Sequence, residues 1–262
     1  MREETISIKG LKVNYKIAGR GPAILVLHGW GGSSDSWVKV QERLSNQKYT
    51  VLVLDFPGFG KSVSPSSPWS VGDYMEFLYF FIKEISKKEK GFGSSFFLLG
   101  HSFGGRVSIK FSLKYPEMVK KLILCDSAGI RQTHDLKGFL IFLTAKIGNA
   151  LLAPKIMVRF KDSVRSSFYK LIRNRDYVKA KGVMKETMQK VIEENLLSQL
   201  KDIGHETLII WGSKDKMVPL KYGHVFNDKI RGSQLKIING VGHSPHLESP
   251  EKLSKLISNF FK

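Results

Sequence analysis

Cysteine is almost missing from this chain: Cys125 is the single thiol in 262 residues. No disulfide can form within the chain, which excludes a stapled secreted scaffold and fits a reducing compartment. Long apolar runs are missing too, and none approaches the ~20 residues a membrane-crossing helix needs. The opening residues Met1-Arg2-Glu3-Glu4-Thr5-Ile6 carry two acids where a secretory leader carries an apolar segment, so the expected location is cytoplasmic. The His, Cys and Asp residues lack zinc-like spacing, and neither a metal nor a cofactor is expected. No internal repeat is evident.

Acidic residues are scarce. The 23 Asp and Glu stand against 42 Lys and Arg, giving a net charge of +19. Residues 128–201 hold fifteen of the basic residues and six of the acidic ones, a denser charge than the remainder of the chain. Such a balance suits steering of anionic substrates or contact with an anionic membrane surface. Against both, the lysines are scattered singly rather than clustered, as on a solvated surface that keeps a protein soluble. No recognition motif accompanies the charge, so nucleic acid is not an expected partner.

The run Phe97-Leu98-Leu99-Gly100-His101-Ser102-Phe103-Gly104-Gly105 is the most informative stretch. An apolar strand breaks at a G-x-S-x-G turn and continues as a helical pattern, the form of a nucleophile elbow. A serine in so tight a turn has strained backbone angles, tolerable when Gly100 and Gly104 carry no side chain where the chain folds back. The turn also aims the Phe103 N–H at an oxyanion forming beside Ser102. A serine hydroxyl needs an imidazole to take its proton and a carboxylate to orient that imidazole. Asp215 follows the apolar run Thr207–Trp211, and His243 follows Leu235–Ile238 through Asn239-Gly240-Val241-Gly242. Near the N-terminus Ala23–Leu27 ends in His28-Gly29-Trp30-Gly31-Gly32, whose glycines allow close backbone approach and offer the Trp30 N–H as a second oxyanion donor. His28 and His101 flank this region inside tight turns and read as structural. His246 is the runner-up base, and Asp126, straight after the strand ending at Cys125, is the alternative acid.

With these residues the chain resembles the α/β-hydrolase superfamily over nearly its whole length. Two further segments carry the resemblance, Asp55-Phe56-Pro57-Gly58-Phe59-Gly60-Lys61-Ser62 and Gly242-His243-Ser244-Pro245-His246-Leu247-Glu248-Ser249-Pro250-Glu251. It implies Ser102 as nucleophile, His243 as base, Asp215 as orienting acid, and Trp30 and Phe103 as oxyanion donors. It implies an α/β-hydrolase fold, a mostly parallel sheet with helices on both faces. Strands are expected near 5–17 (a hairpin), 23–27, 50–54, 96–100, 121–125, 207–211 and 235–238. Helices are expected near 35–47, 71–90, 103–115, 215–229 and 248–261. Residues 1–127 and 202–262 form the expected core domain. The stretch 128–201, too long for an ordinary connection, is expected as a helical cap inserted after strand 6. Leu136 to Leu152 suggest an apolar helix ended by Pro154, and Val191, Ile192, Leu196, Leu197 and Leu200 suggest a last one before the sheet resumes.

Three functions follow from the resemblance. The first is a carboxylesterase for small to medium acyl chains, working through an acyl-enzyme on a small-molecule substrate. His101 before the serine is similar to esterase-like members, whereas hydrolases of ring-fission dienoates, which cleave carbon–carbon bonds, more often carry asparagine there. Such a C–C hydrolase is the second, and a low-turnover binding protein the third. A serine nucleophile argues against the dehalogenase and epoxide hydrolase branches, which use aspartate.

Overall fold

The computed structural model describes residues 1–89, 91–93, 95–131 and 182–261. The chain divides into two compact units, Met1–Ile130 with Gly182–Lys262, and Arg131–Lys181. The expected apolar cap helix of residues 136–152, with its break at Pro154, lies outside the described residues.

The chain starts as a hairpin, β1 (Arg2–Ile8) and β2 (Leu11–Ala18), whose two-residue turn places Lys9 at φ 49° and Gly10 at φ 81°. Positive φ at both positions matches the right-handed twist of paired strands. Six more strands follow: β3 (Ala23–Leu27), β4 (Thr50–Leu54), β5 (Phe96–His101), β6 (Val119–Cys125), β7 (Thr207–Gly212) and β8 (Gln234–Ile238). The sheet order is β1-β2-β4-β3-β5-β6-β7-β8. The β1–β2 and β2–β4 pairs are antiparallel, and every pair from β4 through β8 is parallel.

Every residue of β3, β4, β5 and β7 is buried, which explains why these strands read as unbroken apolar runs. Alternate side chains enter two separate cores. Leu25, Leu27, Leu98, Leu122 and Trp211 pack on one face beneath α2 (Val71–Lys88) and α3 (Phe103–Lys114). Ile24, Val26, Leu99, Ile123 and Ile210 pack on the other, beneath α1 (Val38–Asn46) and a C-terminal helix at Pro250–Phe261. Helix α2 begins with a capping box in which Ser70 and Asp73 satisfy each other's backbone N–H groups.

Four expected helices differ in extent. The first is a 3₁₀ turn, Ser34–Trp37, followed by α1. The helix expected at 215–229 begins only at Lys221, as α5 (Lys221–Lys229). Asp215 Oδ1 accepts the N–H groups of Met217 and Val218 at 2.8 and 2.9 Å, folding these residues into a turn instead. The helix expected around 191–200 ends early. Helix α4 (Val183–Glu193) stops where Arg106 Nη1 donates to the Glu194 carbonyl and Leu196 N–H to Gly129, and a 3₁₀ turn covers Leu197–Asp202. Val191, Leu196 and Leu200 pack into the core beneath α2 and α3. The C-terminal helix, α6 (Pro250–Phe261), is preceded by a separate turn at Pro245–Glu248, because the residue before Pro250 is disfavoured in helical conformation. Among the described residues no helix is long and apolar enough to cross a membrane.

Candidate active site

Parallel strands deliver their carboxyl ends to one edge of the sheet, and all of the chemistry-bearing residues lie there. Strand β5 ends at His101, Ser102 follows at φ 52° and ψ −113°, and α3 starts at Phe103. A non-glycine residue at positive φ is costly and persists only where its surroundings enforce it. Here they do: Ser102 N–H donates to the Cys125 carbonyl at 3.1 Å, and the Ser102 carbonyl accepts from Gly105 at 3.0 Å and Ala128 at 3.1 Å. A Cβ on Gly104 would collide with the Leu27 and His28 carbonyls, so α3 can start against β3 only with glycine there.

Strand β7 feeds the loop holding Asp215, and β8 feeds the loop holding His243. The three side chains meet in series. His243 Nε2 lies 3.0 Å from Ser102 Oγ, and His243 Nδ1 lies 2.7 Å from Asp215 Oδ2. An Nδ1–H donating to the carboxylate leaves Nε2 as the acceptor facing the serine. Burial by itself would push Asp215 up, but the hydrogen bond from His243 and the imidazole charge outweigh it and hold the carboxyl below its usual range.

The His243 loop is clasped from below. Glu248 Oε2 accepts the Gly242 N–H at 2.8 Å, and Oε1 accepts the Ser244 N–H at 3.1 Å, so one carboxylate grips the backbone on both sides of the imidazole. His101 Nε2 donates to the His243 carbonyl at 2.7 Å, and desolvation by burial lowers His101 to about 3. The structural reading of His101 matches this bond, whereas sequence reasoning missed the Glu248 clasp, although Glu248 stands in the quoted histidine segment.

The oxyanion candidates flank the serine. Gly29-Trp30-Gly31-Gly32 is a turn closed by a 2.9 Å bond from Gly32 N–H to the Gly29 carbonyl, with Gly31 at φ 73° as the third position of a type II turn demands. A Cβ on Gly29 would come within 3.2 Å of Ser102 Cβ and 2.8 Å of His101 Nδ1, which measures how closely this backbone approaches the serine. The first N–H groups of α3, Phe103 among them, have no acceptor within the helix. The rings of Trp30 and Phe103 meet edge-on at 5.4 Å, and Trp30 meets Phe59 at 4.8 Å.

The other candidates lie apart from the serine. His28 Nδ1 donates to the Gly29 carbonyl at 2.7 Å and its Nε2 accepts the Phe56 N–H at 3.0 Å, a neutral tautomer that joins β3 to the loop after β4. Burial lowers its affinity for a second proton. His246 stacks on Trp37, centroids 4.4 Å apart, and burial holds it well below its usual range. Asp126 sits at φ 43° with Oδ1 accepting the Gly212 N–H at 2.9 Å. A carboxylate oxygen of Asp126 lies within 4.8 Å of one of Asp215 and of an imidazole nitrogen of His243.

A parallel sheet whose central strand ends in a strained serine, facing an imidazole and a carboxylate in turn, defines a nucleophile-elbow protein. Residues 22–250 match the alpha/beta hydrolase fold family, and the chain belongs to that family. Lipase 1 of Psychrobacter immobilis is 26% identical over 87% of this chain and 73% of its own. The 2-hydroxy-6-oxononadienedioate/2-hydroxy-6-oxononatrienedioate hydrolase of Escherichia coli is 26% identical over 96% of this chain and 91% of its own. Among solved structures, a serine hydrolase involved in carbazole degradation, the CarC enzyme, superposes with a TM-score of 0.76 at 26% identity, covering 99% of this chain and 98% of that one.

Proposed function

We propose that the protein is a serine hydrolase that cleaves carboxylic esters of small to medium acyl chain. The observation carrying this reading is the series Ser102, His243 and Asp215, joined at 3.0 and 2.7 Å on a strained elbow. In the proposed reaction Ser102 Oγ attacks the ester carbonyl as its proton passes to His243 Nε2. The N–H groups of Trp30 and Phe103 hold the oxyanion, and Asp215 balances the imidazolium. His243 then protonates the leaving alcohol, and water repeats the sequence on the acyl-enzyme. Removing one oxyanion donor from such a site typically costs about 100- to 1000-fold in turnover.

The aromatic cluster of Trp30, Phe59 and Phe103, carried by the turn after β3, the loop after β4 and the start of α3, supports an apolar acyl group. The lipase relative supports the same class. Buried Cys125 accords with a cytoplasmic, reducing location. A second reading, hydrolysis of a carbon–carbon bond in an acidic dienoate, is favoured by the Escherichia coli relative, which matches nearly the whole chain.

Hydrolysis of p-nitrophenyl esters from acetate to dodecanoate by the wild type and by Ser102→Ala tests the first reading. Turnover that disappears in the variant is the expected outcome, and the preferred chain length gives the depth of the acyl site. No turnover in the wild type, with loss of a dienoate chromophore instead, overturns the esterase reading in favour of the second.

A further inference from the structure

Two carboxyl groups lie side by side beneath His243, and the proposed reaction uses one of them. Asp126 is fully buried at the end of β6, and the Asp215 side chain is equally shut off from solvent. Their oxygens come within 4.8 Å of each other, and like charges that close in a dry site do not both ionise, so the pair carries one proton. The surrounding donors decide which partner keeps it.

Asp215 accepts three hydrogen bonds: Met217 and Val218 N–H on Oδ1, and His243 Nδ1 on Oδ2. Asp126 accepts the Gly212 N–H on Oδ1 and the Cys125 thiol, a weak donor, at 3.5 Å on Oδ2. The negative charge belongs where the donors are stronger and more numerous. We propose that Asp126 is kept as the neutral acid and donates its proton to the Asp215 carboxylate, making it a positioning residue that aims the orienting carboxylate at His243. The titratable groups around it are Asp215 and His243 from the loops after β7 and β8, Cys125 on its own strand, and His101 on β5, paired in register with Cys125. Burial is the leading cause that raises Asp126 to about 9, with the Asp215 charge adding to it.

One arm of the inference rests on the serine hydrolase reading and the other does not. In the unfolded chain Asp126 ionises above a pH of about 4, whereas in the folded protein it keeps its proton. Replacing it with asparagine removes that proton uptake. The residue at φ 43° tolerates asparagine and glycine, both at home at positive φ.

The experiment is urea unfolding of the wild type and Asp126→Asn between pH 5 and pH 8. The folding equilibrium constant of the variant relative to the wild type is expected to rise about tenfold per pH unit. A ratio independent of pH would mean an ionised Asp126 and overturn the proposal. The second arm is p-nitrophenyl ester hydrolysis. Asp126→Asn, which keeps an N–H for Asp215 and an oxygen for Gly212, is expected to retain kcat within about threefold. Asp126→Gly, which keeps neither, is expected to lose about tenfold in kcat at unchanged KM, the effect of one hydrogen bond to a charged group. Equal losses in both variants would overturn the positioning role. A wild type without ester turnover would fail the hydrolase reading alone, because the urea arm reads the proton without any substrate.

Discussion

Glu248 shows how much of a site lies in backbone placement. Its two oxygens take the N–H groups of Gly242 and Ser244, so removing the carboxylate frees the loop that carries the imidazole. Glu248→Ala is expected to lower kcat about tenfold with little change in KM, since hydrogen bonds to a charged group contribute about 1.5–3 kcal/mol and the imidazole is misplaced without them. Glu248→Gln, which keeps one acceptor oxygen, should lie between the two. Steady-state kinetics on a p-nitrophenyl ester, with thermal melting as the control for folding, would measure this. Equal KM increases in both variants would instead place Glu248 in substrate binding.

Elements meet at contacts that reverse ordinary propensities. Glycine inside a helix normally costs about 0.5–1 kcal/mol relative to alanine. Gly72 in the first turn of α2 obeys that rule, because a Cβ there would meet Ser70 Oγ at 3.4 Å and Lys110 Nζ at 3.7 Å, both ordinary contacts. Gly72→Ala is therefore expected to stabilise by about 0.4–1 kcal/mol in urea unfolding. Gly104, two residues after the serine at the start of α3, behaves oppositely: its Cβ would strike the main-chain carbonyls of Leu27 and His28. Neither carbonyl can move without displacing β3, so Gly104→Ala is expected to destabilise by about 2 kcal/mol or more and to abolish turnover. A variant as stable as the wild type would contradict this tight seating of α3 on β3.

At the scale of the molecule, three histidines among the described residues are buried without charge. His28, His101 and His246 are all held below their usual range, chiefly by desolvation, with His101 at about 3. In the unfolded chain each takes a proton near pH 6.5, while the folded protein resists it. The unfolded state thus binds more protons below that pH, and stability falls as pH drops from about 6.5 toward the folded values. All three act in the same direction and outnumber the one proton that folded Asp126 retains, so stability is expected to fall as the pH drops below about 6.5. Tryptophan fluorescence against pH at fixed urea would follow it. His246→Phe keeps a ring against Trp37 and removes one titrating group, and its stability should depend on pH less steeply by about one proton.

Local chemistry made much of this legible before any coordinates. The buried strands announce themselves because both faces are covered, leaving Ala23–Leu27 and Thr207–Gly212 almost wholly apolar. The elbow announces itself because few sequences other than glycine-flanked ones tolerate its turn. Chain order places Ser102, Asp215 and His243 after three different strands, and the parallel sheet brings those ends together. The helix limit at Glu193 was hidden, since the Arg106 guanidinium on the Glu194 carbonyl is a partner that no local window contains, whereas the turn that delays the next helix to Lys221 is made locally by Asp215 with Met217 and Val218. The carboxyl pair of Asp126 and Asp215 was hidden for the same reason, whereas the clasp of Glu248 joins residues of one short segment. By itself the sequence determined the fold family and marked Ser102, His243 and two candidate acids, Asp215 and Asp126, because periodicity and turn chemistry are local. Tertiary structure alone decided which acid meets His243, which histidines stay neutral and which buried carboxyl keeps a proton, because distance and desolvation exist only once the strands are side by side.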